Sequence, residues 1–128
     1  MDAPNRIEQA LETALALGTG DANPGCPPRL AAGLRHAVFP GGARIRPQLC
    51  LAVARACGDA DPRIADGAAA ALELLHCASL VHDDLPCFDD ATLRRGIPSV
   101  HAAYGERIAV LAGDALIVLA FQMLAHSA

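Results

Sequence analysis

Four carboxylates and two guanidinium groups fall within one short stretch of an otherwise apolar chain, LVHDDLPCFDDATLRRG, Leu80 to Gly96. Asp83 and Asp84 are adjacent, and Asp89 and Asp90 follow after Leu-Pro-Cys-Phe. Carboxylate oxygens suit hard divalent cations such as Mg²⁺, which one or two carboxylates commonly hold while phosphate oxygens complete the shell. Arg94 and Arg95 come directly after, and guanidinium groups pair with phosphate through bidentate hydrogen bonds. The combination points to a diphosphate gripped through a metal ion on one side and arginine on the other. A solvated acidic turn followed by an ion-paired basic doublet is the plainer alternative. It would suffice for a lone Asp-Asp, but clustered charges of both signs favour a site.

Spacing decides how these groups meet. In an unbroken helix six steps of about 100° turn Asp89 away from the face of Asp83. Pro86 stands three residues past Asp83, where an interior proline disrupts a helix. The helix is therefore predicted to end or bulge near Asp84, with a loop returning Asp89 towards Asp83. A second basic group lies in FPGGARIRP, where Arg44 and Arg46 follow a Gly-Gly turn at a helix start, a place that favours anions. His76 stands six residues before His82; a lone histidine is more often a satisfied helix residue than a ligand, and that reading stands for both.

The elements that must position these groups read as helices. Strand formers do not alternate over a useful length, and 53% of the residues are hydrophobic. Helices are predicted over about 4–17, with Ile7, Leu11, Ala14 and Leu15 on one side, then over 28–38, 44–57, from Asp61-Pro62 through AAAALELLHCASLVHDD, across SVHAAY, and over about 106–125. Pro40-Gly41-Gly42 stops the second, and Pro47 fits the first turn of the third, where a missing N–H matters little. A Gly- and Pro-rich loop follows the first helix, and Gly96-Ile97-Pro98 closes the motif loop. No repeat or linker divides the chain, so residues 1–128 are read as a single domain.

Charge and composition narrow the function classes. The net charge is −4, which argues against nucleic acid, and all ten basic residues are arginine. MDAPNRIEQALE does not read as a secretory signal. The apolar run Ile108 to Phe121 is too short to span a bilayer and contains Asp114, so no transmembrane segment is expected. A carboxylate in that helix calls for partners, and a structural role is expected for it. Cys26, Cys50, Cys57, Cys77 and Cys87 are odd in number and never spaced CxxC, which reads as buried free thiols in a cytoplasmic protein.

HDDLPCFDDATLRRGIPSVH resembles the first aspartate-rich motif of the trans-prenyl diphosphate synthases, in its bacterial form with four residues between the paired and the last Asp. GGARIRP resembles that family's GGKRxRP motif, and AVLAGDAL a further stretch common in it. The likeness runs from about Leu30 to Phe121 and is strongest to bacterial geranylgeranyl diphosphate synthases of carotenoid pathways. The resemblance implies an all-α fold, the N-terminal part of a helical bundle, and Mg²⁺-dependent condensation of an allylic diphosphate such as farnesyl diphosphate with isopentenyl diphosphate. It implies that Asp83, Asp84 and Asp89 bind Mg²⁺, with Asp90 a secondary candidate. Arg94 would bind the allylic diphosphate, and Arg46, His76, Arg95 and Gly42 would serve isopentenyl diphosphate. Ala78 and Ser79, about one turn below the metal site, would leave room for a C20 product, although small residues there also permit close helix packing.

Two departures stand out. Ala43 occupies the usual lysine position, which removes one charge from the isopentenyl diphosphate side. The family also needs a second aspartate-rich motif and later lysines, whereas Glu106 and Asp114 are the sole carboxylates after Gly96 and lysine is absent. The chain is therefore expected to be the N-terminal half of such an enzyme, weak in Mg²⁺ and diphosphate binding alone. It would act as a homodimer or with a completing chain, and its apolar faces would promote association. Two rivals remain at this level. One is a non-catalytic subunit that keeps the fold. The other is an HD-type metallophosphohydrolase using His82, Asp83, His76 and Asp114, which leaves the clustering of Asp84, Asp89, Arg94 and Arg95 without a reason.

Overall fold

A computed structural model of the chain describes residues 2–39 and 41–128. Six helices account for most of it: α1 Ala3–Gly18, α2 Pro28–Val38, α3 Ile45–Ala56, α4 Pro62–Asp83, α5 Val100–Tyr104 and α6 Glu106–Ser127. A single 3₁₀ turn, Gly20–Ala22, follows α1, and a small hairpin of β1 Leu93–Arg94 with β2 Ile97–Pro98 precedes α5. The helices match the predicted spans to within a residue or two. Pro40, part of the predicted stop after α2, lies outside the described residues.

Local chemistry accounts for the helix ends. The Asp2 carboxylate accepts the Asn5 N–H at 3.0 Å at the start of α1, and the Asp61 carboxylate accepts the Arg63 N–H at 3.2 Å at the start of α4. These side chains satisfy donors that have no partner within the helix. Proline sits in the first turn of α1, α2 and α4, where no hydrogen bond is lost. After α3, Gly58 takes a φ of +100°, a conformation glycine adopts without strain.

Helices α4 and α6 form the central antiparallel pair, and the other helices pack against one or both. Both helices bury many small residues: Ala69, Ala70 and Ala71 on α4 and Ala109, Ala112, Gly113 and Ala120 on α6. At one end Gly67 lies against Ser127, and at the other Gly113 receives the His82 ring; a methyl group at either glycine would overlap its neighbour. The predicted face of α1 is inside, with Ile7, Leu11, Ala14 and Leu15 all buried. Leu34, Val38, Leu51, Leu74 and Leu116 complete the core.

Three expectations change. The motif loop closes as a β-hairpin, because Arg95 and Gly96 both take positive φ, +53° and +80°, the pattern of a type I′ turn whose twist suits paired strands. Of the cysteines, only Cys77 is buried; Cys57 and Cys87 are exposed and all five are free. Asp114 is 62% exposed on the open side of α6, 3.6 Å from the His82 ring, and needs no buried partner. By length and composition alone α4 and α6 are apolar enough to cross a membrane, with 50% and 39% of their most apolar windows buried within the fold. Their length as helices, 22 residues each, exceeds that of the unbroken apolar run from Ile108 to Phe121.

Two apolar stripes face outward. Ile45, Leu49 and Val53 lie one turn apart along α3, and Leu111, Val118, Phe121 and Leu124 line the open side of α6. Contiguous exposed apolar surface of this kind favours association in water. The isolated chain should therefore be oligomeric by light scattering, and Leu49→Glu combined with Phe121→Glu should shift it towards the monomer. A monodisperse monomer of the unsubstituted chain would count against this.

Candidate functional site

The site forms where α4 ends. The Asp84 N–H still donates to the Leu80 carbonyl, but beyond it the chain folds back. The Asp89 N–H donates to the Asp83 carbonyl at 2.9 Å, the Asp90 N–H to Leu85 at 3.0 Å, and the Ala91 N–H to Asp84 at 3.1 Å. Pro86 lies inside this turn and has no N–H to contribute. The return of Asp89 to Asp83 is thus accomplished by backbone hydrogen bonds. Asp90 takes a φ of +49°, and both it and Asp89 are exposed.

Asp84 behaves differently from its neighbours. It is 2% exposed, and its two carboxylate oxygens accept from Arg94 Nε at 2.8 Å and Nη2 at 2.7 Å. The resemblance implies a metal ligand in Asp84 and a phosphate ligand in Arg94; in this structure the two are hydrogen-bonded to each other. The hydrogen bond to Asp84 and the fields of Asp84, Asp83 and Asp89 together hold the Arg94 guanidinium's pKa above its ordinary value. Among the described residues, no three His, Cys, Asp or Glu side chains are gathered as a ligand set. That applies to Asp83, Asp84 and Asp89, because Asp84 is turned inward to Arg94. It applies equally to the His82, Asp83, His76 and Asp114 arrangement, in which the His82 Nε2 lies 3.2 Å from the Val110 carbonyl.

The donor set still suits Mg²⁺. Asp83 and Asp89 are both exposed at a helix end and joined through their backbones, and a Mg²⁺ ion needs only one or two carboxylates when phosphate oxygens supply the rest.

A basic group lies beside these acids. His76 is on α4 two turns before Asp83, partly buried. Burial, and then the charge of Arg46 with smaller contributions from Arg95 and Arg94, lower its pKa below 6.5, while Glu73 acts in the opposite direction. Residues 44–46 at the start of α3 and the hairpin turn at 95–96 therefore both bring guanidinium groups within reach of His76. Gly42 explains part of this. A methyl group there would overlap the Arg95 guanidinium, so the glycine admits Arg95 against the loop. Gly41 does the same for Arg44 and also needs its φ of +82°. A cleft of about 80 Å³ lies between α2, α4 and the hairpin, lined in part by Gly41, Asp84, Arg94, Arg95 and Ser99.

Other polar contacts hold the frame, and sequence reading missed them. His101 Nε2 and Ser99 Oγ each donate to the Ala91 carbonyl at 2.7 Å, and His36 Nε2 donates to the Pro98 carbonyl at 2.7 Å. The single legible signal was the SVH following the motif. The two chain-length candidates separate. Ala78 is buried in the core, whereas Ser79 is exposed on the same open face of α4 as His76 and Asp83, with its hydroxyl donating to the His76 carbonyl at 2.6 Å.

Removing one partner of a buried ion pair leaves the other charge unpaired. Arg94→Ala should lower stability by about 3 kcal/mol, the low end for such a pair because Arg94 stays one-third exposed. Asp83→Asn, at an exposed position, should change it by less than about 0.5 kcal/mol. Urea denaturation of both variants checks this, and equal effects would refute the distinct role of Asp84.

Similarity to known proteins agrees with this geometry. Residues 27–128 match the polyprenyl synthetase family. The chain is 60% identical over 123 residues to a geranylgeranyl diphosphate synthase of Cereibacter sphaeroides, covering 96% of this chain and 42% of that protein. It is 58% identical over 128 residues to a geranylgeranyl diphosphate synthase of Rhodobacter capsulatus, covering 98% of this chain and again 42% of the relative. The crystal structure of an isoprenoid synthase family member from Thermotoga neapolitana superposes with a TM-score of 0.86 at 42% identity, over 98% of this chain and 46% of that one. The chain thus spans less than half the length of the proteins it matches. With a match over most of its length and a shared all-α architecture, it belongs to the polyprenyl synthetase family.

Proposed function

We propose that this chain carries the first metal- and diphosphate-binding face of a prenyltransferase that joins an allylic diphosphate, such as farnesyl diphosphate, to isopentenyl diphosphate, forming geranylgeranyl diphosphate. The observation that carries the reading is the meeting of exposed Asp83 and Asp89 with Arg94, Arg95, Arg46 and His76 at the end of α4. Asp83 and Asp89 would hold Mg²⁺, which when bound would draw charge from the departing diphosphate. Asp84 keeps Arg94 oriented beside them, so a positive group faces the same anion without having to be ordered first. Arg46, His76 and Arg95 would receive isopentenyl diphosphate, with Gly42 giving Arg95 its place. Ala43 supplies no charge, which leaves this half of the site dependent on arginine and histidine. Ser79, rather than the buried Ala78, is the small residue that would leave room for a C20 chain below Asp83.

The decisive test is prenyl transfer with Mg²⁺, labelled isopentenyl diphosphate and farnesyl diphosphate, with the product sized by chromatography. A C20 product that disappears in Asp83→Ala and Asp89→Ala is the expected result. Metal-independent turnover would overturn the reading.

The protonation of His76 adds a pH signature. Burial, and then the neighbouring arginines, favour its neutral form in the free protein. A bound diphosphate reverses the local field and favours the imidazolium, so the pKa rises on binding and a proton is taken up. Affinity for isopentenyl diphosphate should therefore increase as pH falls through the bound-state pKa towards the lower free-state one. His76→Gln should remove that component in calorimetric titrations compared across pH, and an identical pH dependence in both proteins would exclude it.

A further inference from the structure

GGARIRP contains an arginine that the proposed reaction leaves unused. Arg44 is 7% exposed and takes a φ of +53°, directly before the first residue of α3. A left-handed conformation in a residue other than glycine is strained and persists where its surroundings impose it. Those surroundings are specific. Nε donates to Glu8 of α1 at 3.0 Å, and Nη2 donates to the Val38 carbonyl at the end of α2 at 2.8 Å. Nη1 is buried without a hydrogen-bond partner and lies 3.7 Å from a carboxylate oxygen of Glu73, itself 4% exposed. Gly41 leaves the space in which the guanidinium sits.

Glu73 and His76 are three residues apart on α4, hence neighbours on its surface. Arg44 and Arg46 are two residues apart at the start of α3. The buried clamp and the basic cluster are thus carried by the same two segments. We propose that Arg44 is a positioning residue: held between Glu8, Val38 and Glu73, it fixes the turn that sets Arg46 beside His76. The inference rests on the diphosphate reading for its purpose, but its geometry can be tested without it.

The test replaces the buried pair by apolar side chains of similar volume, Arg44→Met with Glu73→Leu, an exchange that folded proteins often accept. NMR titration of His76 in the free protein reports the position of Arg46. Glu73 raises the His76 pKa, so losing its charge alone would lower that value; Arg46 lowers it more strongly. Burial lowers it most, so a rise reports displacement of Arg46 where amide exchange shows the α4 segment around His76 to be as protected as in the unsubstituted chain; a rise with unchanged protection is the expected result. Calorimetry with inorganic pyrophosphate and Mg²⁺ should then show affinity reduced at least tenfold. An unchanged or lowered His76 pKa in a variant with native circular dichroism would overturn the proposal. Should the double variant fail to fold, Glu8→Gln removes a half-exposed anchor of the same guanidinium and should shift His76 upward by a smaller amount; no shift there would also overturn it. If the unsubstituted chain fails to bind pyrophosphate, the diphosphate reading falls, while the His76 titration still decides the role of Arg44.

Discussion

The buried pair between Asp84 and Arg94 organises the rest of the site. It joins the C-cap of α4 to the β-hairpin ten positions further along the chain, and everything between must close around it. A carboxylate with 2% exposure has no water to solvate it, so its two oxygens need donors, and the planar fork of Arg94 supplies both. Once Arg94 is fixed, the turn at Arg95 and Gly96 has one place to go. Arg95 reaches Gly42, and the two basic segments become neighbours. Asp83, Asp89 and Asp90 remain exposed around the same turn.

A second constraint sits behind this one. The end of α4 is held in place by close packing on α6, made possible by the alanine and glycine that both helices bury. His82 fits into the notch at Gly113, immediately before Asp83. Large side chains there would separate the two helices and tilt the helix end that carries the acids. The same pair leaves one side of α6 and one side of α3 apolar and open. That outward face accords with a chain that matches less than half the length of its relatives.

Much of the frame was legible in sequence because its signals are local. Periodic apolar positions placed Ile7, Leu11, Ala14 and Leu15 inside, and proline and glycine marked the helix ends. The break at Asp84 followed from Pro86 and the spacing to Asp89. The hairpin was not legible, since two strands of two residues leave no periodicity and the positive φ of Arg95 belongs to a residue that seldom adopts it. The separation of Ala78 from Ser79 was hidden for a related reason. Both lie within one turn of α4, and which one faces the open side depends on where α6 packs.

By itself the sequence determined the all-α class, the order of helices, the family motifs and the concentration of acids and arginines at one helix end. These rest on residue type and spacing, which act through neighbours in the chain. Only the tertiary structure decided which charges stay available and which are consumed. Asp84 is buried against Arg94, Arg44 is held by Glu8, Val38 and Glu73, and Asp83, Asp89 and Arg46 stay exposed. Burial and pairing distance make that division, and both depend on helices far apart in sequence.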